Sequence, residues 1–213
     1  NETMLATSAF ADVAIDGALS WLYEKACEEF GTPMGRDPVT GAHVPQKMVV
    51  LGMGKLGGRE LNVSSDIDLI FLYDQDVVTY VDPDRIHQDL VRMVRDITRI
   101  MEERTGDGYV FRTDLRLRPD PSSTPPILSM IAAETYYETV GQNWERAALI
   151  KARPVGGDKD AGGVFLKRLT PFIWRKNLDF SAIEDIHSIK RQINAQSGSK
   201  KIVINGHNIK LGR

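Results

Sequence analysis

The chain has 213 residues, and 42% of them are hydrophobic, which is enough apolar material for one domain with a sizeable core and a smaller second lobe. The formal net charge is only -2, so we expect neither nucleic acid nor a membrane surface as a partner. The single cysteine, Cys27, excludes an intrachain disulfide and a cysteine-based zinc site. No apolar run approaches the roughly 20 residues that span a bilayer, and no signal-peptide pattern opens the sequence, so a cytoplasmic location is expected.

Both ends of the sequence look truncated. It begins at Asn1 rather than at a methionine, and it stops at Arg213 directly after an apparent strand. We therefore expect a piece of a longer protein with three parts. These are an N-terminal helix and loop (1–45), a catalytic domain (46–157), and a helical segment and hairpin that begin a following domain (158–213).

Apolar periodicity predicts the elements of the first part of the chain. Residues 2–30 favour one helix, which Gly31 stops, and residues 31–46 read as a loop rich in Gly, Pro and Asp. Two continuous apolar runs, 48–53 and 67–73, predict buried strands joined by a glycine-rich turn. The predicted apolar face of the helix contains Met4, Leu5, Ala9, Val13, Leu19, Leu22, Ala26 and Phe30.

The middle of the chain predicts further helices and a third strand. Asp82-Pro83 is a strong helix start, because it combines an N-cap with proline at the first helical position. Residues 109–117 alternate between apolar and polar side chains, which predicts a strand. Ser129 is expected to cap the next helix, and another helix is expected around 144–151.

The last part of the chain is predicted to be helical from Asp158, with a tight hairpin at Asn205-Gly206. The predicted order of elements indicates an α+β fold. A small mixed or antiparallel sheet would carry the acidic residues, helices would pack on one side, and a helical C-terminal part would follow.

Two acidic residues at the start of the second predicted strand point to metal chemistry. Asp66 and Asp68 are two positions apart, so both side chains would lie on one face of the strand while Ile67 points into the core. Two such carboxylates, roughly 6.6 Å apart along the strand, repel each other unless a cation lies between them. Hard oxygen ligands select Mg²⁺, with Mn²⁺ as an alternative, over zinc.

A third carboxylate is available on the alternating segment. Asp114 lies among arginines on one face of that predicted strand, a combination that suits binding of metal and phosphate together. The alternatives are a solvated sheet face, or an ion pair between Asp114 and a neighbouring arginine. One face would carry Phe111, Thr113, Leu115 and Leu117, and the other Arg112, Asp114, Arg116 and Arg118.

The glycine-rich turn is a candidate phosphate-binding loop. Gly57 and Gly58 would let backbone N–H groups approach phosphate oxygens without a Cβ clash. Ser64 or Ser65 could donate a hydroxyl hydrogen, and Lys55 could reach a phosphate as a mobile charge. A glycine cluster alone is weak evidence, but glycines followed by Asp-x-Asp and an apolar strand are much more specific.

These features together resemble the DNA polymerase beta nucleotidyltransferase superfamily, in which a Gly-Gly or Gly-Ser turn precedes Asp-x-Asp and a third acid lies on a later strand. Within it, the chain most resembles the glutamine synthetase adenylyltransferase family, strongly over residues 45–160. The motifs that carry this likeness are Gly52-Met-Gly-Lys-Leu-Gly-Gly-Arg-Glu-Leu-Asn62, Arg116-Leu-Arg-Pro119, Tyr136-Tyr137, Asn143-Trp-Glu-Arg146 and Lys151-Ala-Arg153.

The resemblance implies a polymerase-beta-like fold and a metal-dependent reaction. Asp66, Asp68 and Asp114 would hold two Mg²⁺ ions for in-line displacement at phosphorus. Glutamine synthetase would be the protein substrate, with inorganic phosphate and ADP or ATP as small-molecule partners. The residues expected to bind nucleotide or phosphate are Lys55, Gly57, Gly58, Ser65, Arg112, Arg116, Lys151 and Arg153; for Lys55, Lys151 and Arg153, plain surface charge is an equal alternative.

Two domains of this family catalyse opposite reactions, and the motifs favour one of them. Asn62-Val-Ser-Ser-Asp-Ile-Asp68 and residues 209–213 resemble the adenylyl-removing half, which releases AMP from a tyrosine of glutamine synthetase as ADP and so regulates nitrogen assimilation. The alternatives are the half that transfers AMP from ATP, and a non-catalytic nucleotide-sensing module. The PII signalling protein is a candidate regulator that would act through the full-length protein.

Overall fold

The computed structural model describes residues 2–37, 40–75 and 85–174. The predicted helix start at Asp82-Pro83 and the predicted hairpin at Asn205-Gly206 lie outside these residues. The helices are α1 (Glu2–Phe30), α2 (Gly54–Gly57), α3 (Ile86–Glu102), α4 (Met130–Thr139), α5 (Asn143–Leu149), α6 (Lys159–Arg168) and α7 (Thr170–Ile173). The strands are β1 (Met34–Arg36), β2 (His43–Pro45), β3 (Val49–Gly52), β4 (Ile67–Tyr73), β5 (Thr113–Asp114), β6 (Ile127–Ser129) and β7 (Arg153–Gly157).

A small mixed sheet forms the centre of the fold. β3 pairs antiparallel with both β4 and β7, and β4 pairs parallel with β5 near its start and with β6 near its end. The strand order is therefore β5-β4-β3-β7, with β6 beside β4. The predicted α+β architecture with a small mixed sheet is confirmed.

Helices cover both faces of this sheet, so the expectation of helices on one side is wrong. Phe71 of β4 packs in a core with residues of α1 and α3, whereas its neighbour Ile70 packs in a second core with residues of α4, α6 and α7. The sequence of β4 already contains the reason. A strand that is apolar at nearly every position, rather than at alternate ones, is buried on both faces.

The bounds of α1 match the prediction, and its buried face matches only in part, because Leu19 is buried and Leu22 and Ala26 pack against the core as expected. The side chains buried against the sheet belong to Ser8, Ala11, Ile15 and Leu19, while Leu5 and Val13, which were expected in the core, are 51% and 71% exposed. Apolar residues occur on nearly all sides of this helix, so periodicity does not select one face. Small residues at the contact let the helix approach the sheet closely.

Two further predictions in this part of the chain need correction. The expected loop at 31–46 contains a short hairpin, in which β1 pairs antiparallel with β2. The expected strand at 109–117 shrinks to Thr113–Asp114. Its first residues leave the strand path because the N–H groups of Val110 and Phe111 both donate to the carbonyl of Met101.

The chain after Asp114 also curls away from a strand, and Arg118 is responsible. Its guanidinium donates to the carbonyl oxygens of Leu115, Pro121, Thr124 and Pro125, at 2.8–3.0 Å. These four hydrogen bonds hold residues 115–125 in a compact loop around the half-buried side chain of Arg118. Arg118 is therefore a structural residue rather than part of a charged sheet face.

The later helices begin where their caps predict. The Ser129 hydroxyl accepts a hydrogen bond from the N–H of Ala132 at the start of α4, as expected. Asp158 caps α6 in the same way through Ala161. β7 was not predicted, because Pro154 and two glycines give it a weak strand signal. It nevertheless completes the sheet beside β3 and brings its first residue, Arg153, next to α2.

Candidate active site

The sheet brings the three predicted acids to one edge. Asp66 directly precedes β4, Asp68 is the second residue of β4, and Asp114 is the last residue of β5. In the parallel β4–β5 pair, Asp68 lies opposite Asp114 and Ile67 lies opposite Thr113. Residues 46 positions apart in sequence are thus neighbours across two short strands, as the sequence predicted.

Among the three acids of this edge, Asp68 is the one whose pKa is raised. Burial raises its pKa, the negative charges of Asp114 and Asp66 raise it further, and together they bring the pKa to about 6. Arg116 and Lys55 act in the opposite direction and compensate only in part. Asp66 and Asp114 are therefore close enough to disfavour the negative charge of Asp68.

The absence of a side chain at Gly54 leaves space for the carboxylate of Asp68. A Cβ placed on Gly54 would lie 2.7 Å from Oδ2 of Asp68, and the glycine adopts a left-handed backbone with φ +52°. Both the contact and the conformation exclude an ordinary side chain at this position. The first glycine of α2 thus has a direct connection to the acidic edge, which the sequence did not indicate.

The other two acids have arginine partners. Nε of Arg112 donates to Oδ1 of Asp66 at 2.5 Å, and the same guanidinium donates to the Ser64 carbonyl at 2.8 Å and to the Tyr109 hydroxyl at 3.0 Å. Arg116 donates to both oxygens of Asp114, with an Nη2–Oδ2 distance of 2.5 Å. These hydrogen bonds hold the pKa of Asp114 below its ordinary value.

Three carboxylates fit a hard cation by their chemistry, although their present orientations do not enclose one. Within residues 2–37, 40–75 and 85–174, no group of three or more acidic, histidine or cysteine side chains is arranged around a common point. The reason is that Asp66 and Asp114 direct oxygens toward arginines. Binding of Mg²⁺ or Mn²⁺ by Asp66, Asp68 and Asp114 stays a prediction, and the raised pKa of Asp68 is the observation in its favour.

The predicted phosphate loop forms the one-turn helix α2. A Cβ on Gly57 would lie 2.2 Å from the Lys151 carbonyl oxygen and 2.7 Å from that of Gly52, so close backbone packing alone requires this glycine. The ammonium of Lys55 lies 3.3 Å from the hydroxyl of Ser65, which spans the gap between α2 and the acidic edge. Phosphate binding by Lys55, Gly57, Gly58 and Ser65 stays a prediction.

Arg153 holds the scaffold together. Its guanidinium forms two hydrogen bonds to the carboxylate of Asp12 in α1, at 2.8 and 2.9 Å. It also donates to the carbonyl oxygens of Leu56 and Gly57 at the end of α2. One side chain therefore ties α1, α2 and β7 together, and these contacts give Arg153 a structural role that the sequence left open between surface charge and phosphate binding. Asp12, the partner that makes this possible, was not identified from the sequence.

Lys151 lies on the surface near the same junction. Its ammonium pairs with Glu60 at 2.7 Å, and both side chains are about half exposed. An exposed pair of this kind contributes little to stability and exchanges partners easily. Phosphate binding by Lys151 stays a prediction.

An open cleft of about 510 Å³ lies along the acidic edge. Asp66, Asp114, Arg112 and Arg116 line it. Three further residues line the cleft that the sequence did not indicate as site residues, Glu102, Arg104 and Tyr109. The Gly106-Asp-Gly108 turn could have indicated that Arg104 and Tyr109 lie close together, because it folds the chain back between them.

Comparison with known proteins places the chain in a family. The sequence model described as glutamate-ammonia ligase adenylyltransferase matches residues 1–168. The chain belongs to this family. The resemblance drawn from the motifs around Gly57, Asp68 and Arg116 is thereby confirmed.

Several curated relatives share the same printed name, bifunctional glutamine synthetase adenylyltransferase/adenylyl-removing enzyme. The protein of Rhizobium meliloti (strain 1021) is 55% identical over 208 residues, which cover 97% of this chain and 21% of the relative. That of Agrobacterium fabrum is 53% identical over 209 residues, with the same coverage. That of Mesorhizobium japonicum is 58% identical over 165 residues, 78% of this chain and 17% of the relative. The chain therefore spans about a fifth of the length of these relatives.

One motif of this glutamate-ammonia ligase adenylyltransferase family member is explained by packing. Glu145 is 1% exposed and accepts hydrogen bonds from the N–H of Gln142 and the hydroxyl of Tyr136. The guanidinium of Arg146 lies over the ring of Phe172. The Asn-Trp-Glu-Arg motif thus anchors α5 against α4 and α7.

Among the described residues, no helix is long and apolar enough to cross a bilayer.

Proposed function

We propose that this chain is a catalytic domain that removes AMP from an adenylylated tyrosine of glutamine synthetase by phosphorolysis, releasing ADP. The observation that carries the proposal is the register of the sheet edge, where Asp68 lies opposite Asp114 and Asp66 stands one step before β4. The names of the relatives, which include an adenylyl-removing activity, support the choice of substrate.

The acidic edge would hold the metal. Asp66, Asp68 and Asp114 supply oxygen ligands of the kind that Mg²⁺ and Mn²⁺ prefer. When bound, two such ions stabilise negative charge at the reacting phosphorus and on the departing oxygen. The raised pKa of Asp68 fits this role, because a carboxylate that resists ionisation among its neighbours is stabilised by a bound cation.

The arginines would exchange partners when the acids take up metal. Arg112 and Arg116 now neutralise Asp66 and Asp114, and both guanidiniums line the cleft. Released from the carboxylates, they could orient phosphate oxygens through paired N–H groups. Lys55, held at Ser65, would add a positive charge on the side of α2.

The chemistry is a single displacement at phosphorus. An oxygen of inorganic phosphate forms a bond to the AMP phosphorus, and the bond from that phosphorus to the tyrosine oxygen breaks. The products are ADP and a tyrosine phenolate, which takes a proton from water. No side chain of this chain becomes covalently modified.

The test uses adenylylated glutamine synthetase, inorganic phosphate and Mg²⁺ with the 213-residue chain, and measures ADP. The chain is expected to release ADP only when both phosphate and metal are present. Asp68→Asn is expected to abolish release, whereas Asp160→Asn, an exposed acid on α6, serves as the matched control. ADP release by Asp68→Asn at the parental rate would contradict the proposal.

Transfer of AMP from ATP to glutamine synthetase is the second candidate, because the relatives' names print both activities. The same three acids would serve it. Incorporation of labelled AMP from ATP without any need for phosphate would favour this direction. Regulation through the PII signalling protein would require the full-length protein and is part of the same proposal.

A further inference from the structure

A tight turn after α3 folds the chain back on itself. Thr105 and Gly108 exchange backbone hydrogen bonds at 2.8 and 3.1 Å, and the Thr105 hydroxyl adds a third contact to the Gly108 carbonyl at 3.2 Å. Gly108 has φ +104°, a conformation that favours glycine. The N–H of Val110 then donates to the Met101 carbonyl at the end of α3. The result is a fixed hairpin whose two arms carry Arg104 and Tyr109.

Two arginines gather on the ring of Tyr109. The guanidinium of Arg104 lies 5.7 Å from the ring centroid and that of Arg112 lies 5.9 Å from it. The Tyr109 hydroxyl also accepts a hydrogen bond from Arg112 at 3.0 Å. Stacking on an aromatic ring orders a guanidinium while leaving its N–H groups available at the edge.

Arg104 differs from the other cations of the cleft. Arg112 and Arg116 are paired with Asp66 and Asp114. Within the described parts of the chain, Arg104 makes a ring contact with Tyr109 and no ion pair. Its charge is therefore free to act on a ligand.

Glu102, another acid that lines the cleft, has its own hydrogen-bond partners. Glu102 accepts hydrogen bonds from the N–H and the hydroxyl of Thr113, at 2.8 and 2.6 Å, through one oxygen. It is thus committed to holding β5 against the end of α3. Arg104 and Glu102 both line the cleft, but Glu102 is turned toward the backbone of β5.

We propose that Arg104, ordered on Tyr109 beside Arg112, forms a binding subsite for a phosphate dianion in this cleft. The identity of the ligand as attacking inorganic phosphate rests on the proposed function. A planar guanidinium with free donors matches the oxygens of phosphate. A nucleotide base is a poorer occupant of this ring, because two guanidiniums already lie over it.

Direct binding of inorganic phosphate tests the subsite. Phosphate is titrated with the 213-residue chain and followed by ³¹P NMR, with and without Mg²⁺. Arg104→Gln is expected to weaken binding by about tenfold or more, since hydrogen bonds to a charged group are among the stronger ones. Arg99→Gln is the matched control, because Arg99 is an exposed arginine of α3 that pairs with Asp96 and does not line the cleft.

Further variants separate the contributions of the charge of Arg104, the planar shape of its guanidinium and the ring of Tyr109. Arg104→Lys keeps the charge but loses the planar fork, so it is expected to bind phosphate between the parent and Arg104→Gln. Tyr109→Leu removes the ring and is expected to weaken binding as Arg104→Gln does. Circular dichroism checks that each variant is folded; if Arg104→Gln is not, the comparison of Arg104→Lys and Tyr109→Leu with the parent decides.

The outcomes distinguish the subsite from the reaction. Phosphate binding that is the same in the parent and in the folded Arg104 and Tyr109 variants, with or without Mg²⁺, overturns the subsite. If phosphate binding depends on Arg104 but the parent releases no ADP, the subsite stands and the proposed reaction falls. If the parent releases ADP and Arg104→Gln has the parental KM for phosphate, the reaction stands and the subsite falls.

Discussion

The charged residues of the acidic edge and those of the junction between α2 and β7 differ in how fully their charges are compensated. The acidic edge and the junction of α2 with β7 both carry charged residues beside glycines, and both were predicted to bind ligands. At the junction, Arg153 is 18% exposed and satisfied by Asp12 and two carbonyl oxygens. At the edge, Arg116 is 84% exposed, and Asp68 has a pKa raised to about 6 by burial and by its acidic neighbours.

The difference shows what separates a structural charge from a functional one. A buried charge that has all its partners stabilises the fold and has little capacity left for a ligand. A buried carboxylate whose charge is disfavoured by burial and by neighbouring acids is stabilised by a bound cation.

Asp114→Asn is expected to lower activity strongly, as Asp68→Asn does. Loss of one oxygen ligand would reduce ADP release by more than about 100-fold, since even the residues that support metal ligands commonly contribute 10–100-fold. Stability should change little, because the partner Arg116 is exposed. ADP release and a denaturant curve measured on the same sample check both statements. ADP release close to the parental rate would contradict the first statement, and a large loss of stability would contradict the second.

Gly57→Ala tests the packing of the junction. The new Cβ would lie 2.2 Å from a backbone oxygen of Lys151, which cannot move aside as a flexible side chain can. We expect the free energy of unfolding to fall by about 3 kcal/mol.

Gly163→Ala is the control, because a Cβ on this α6 residue meets nothing within 4 Å. It should raise the free energy of unfolding by about 0.5–1 kcal/mol. Equal unfolding midpoints for the two alanine variants would show that the close approach at Gly57 has been misread.

Arg153→Gln should be destabilising, and Lys151→Gln should not. The half-buried pair of Arg153 with Asp12 and the carbonyls of α2 is expected to contribute about 2 kcal/mol, against less than about 1 kcal/mol for the exposed pair of Lys151 with Glu60. Urea unfolding of both variants measures the difference. A ranking in the reverse order would remove the structural role assigned to Arg153.

The pKa of Asp68 predicts a pH dependence of stability in metal-free buffer. Its ordinary pKa is 3.8 and its pKa in the folded chain is about 6, so the folded state holds the proton more tightly. The contribution to stability is fully present below pH 3.8 and is lost as the pH rises through 6.

Asp68→Asn removes this titration, and the comparison with the parent isolates it. The melting temperature of the variant should exceed that of the parent at pH 8, and the two should converge near pH 4. Addition of Mg²⁺ at pH 8 should raise the melting temperature of the parent and so reduce the difference between the two proteins. A parent that melts higher than Asp68→Asn at pH 8 without metal would contradict the raised pKa.

The sequence predicted the acidic edge well because its signals are local. A continuous apolar run predicts β4 residue for residue, and the period of two places Asp66 and Asp68 on one side. The position of Asp114 on a neighbouring strand was expected from the family resemblance and from the alternation around it, whereas the parallel pairing of that strand with β4 was not predicted. The length of β5 was overestimated because backbone bonds from Val110 and Phe111 to Met101 leave no trace in the residue pattern.

The junction was predicted poorly because its determinants are distant in sequence. Arg153 and Asp12 are 141 residues apart, and nothing in either segment indicates the other. The strand β7 contains a proline and two glycines, so only its pairing with β3 makes it a strand. In α1, apolar residues occur on nearly all sides, so the predicted face was only partly correct: Leu19 was expected to be buried, whereas Ala11 and Ile15 were not.

The most direct measurement is a titration of the chain with Mn²⁺ or Mg²⁺, followed by electron paramagnetic resonance or calorimetry. The carboxylates of Asp66, Asp68 and Asp114 are expected to bind the ion, and Asp68→Asn is expected to lose that binding while Asp160→Asn keeps it. A parent chain that binds no divalent cation, or an Asp68→Asn variant that binds it as tightly as the parent, would contradict the account.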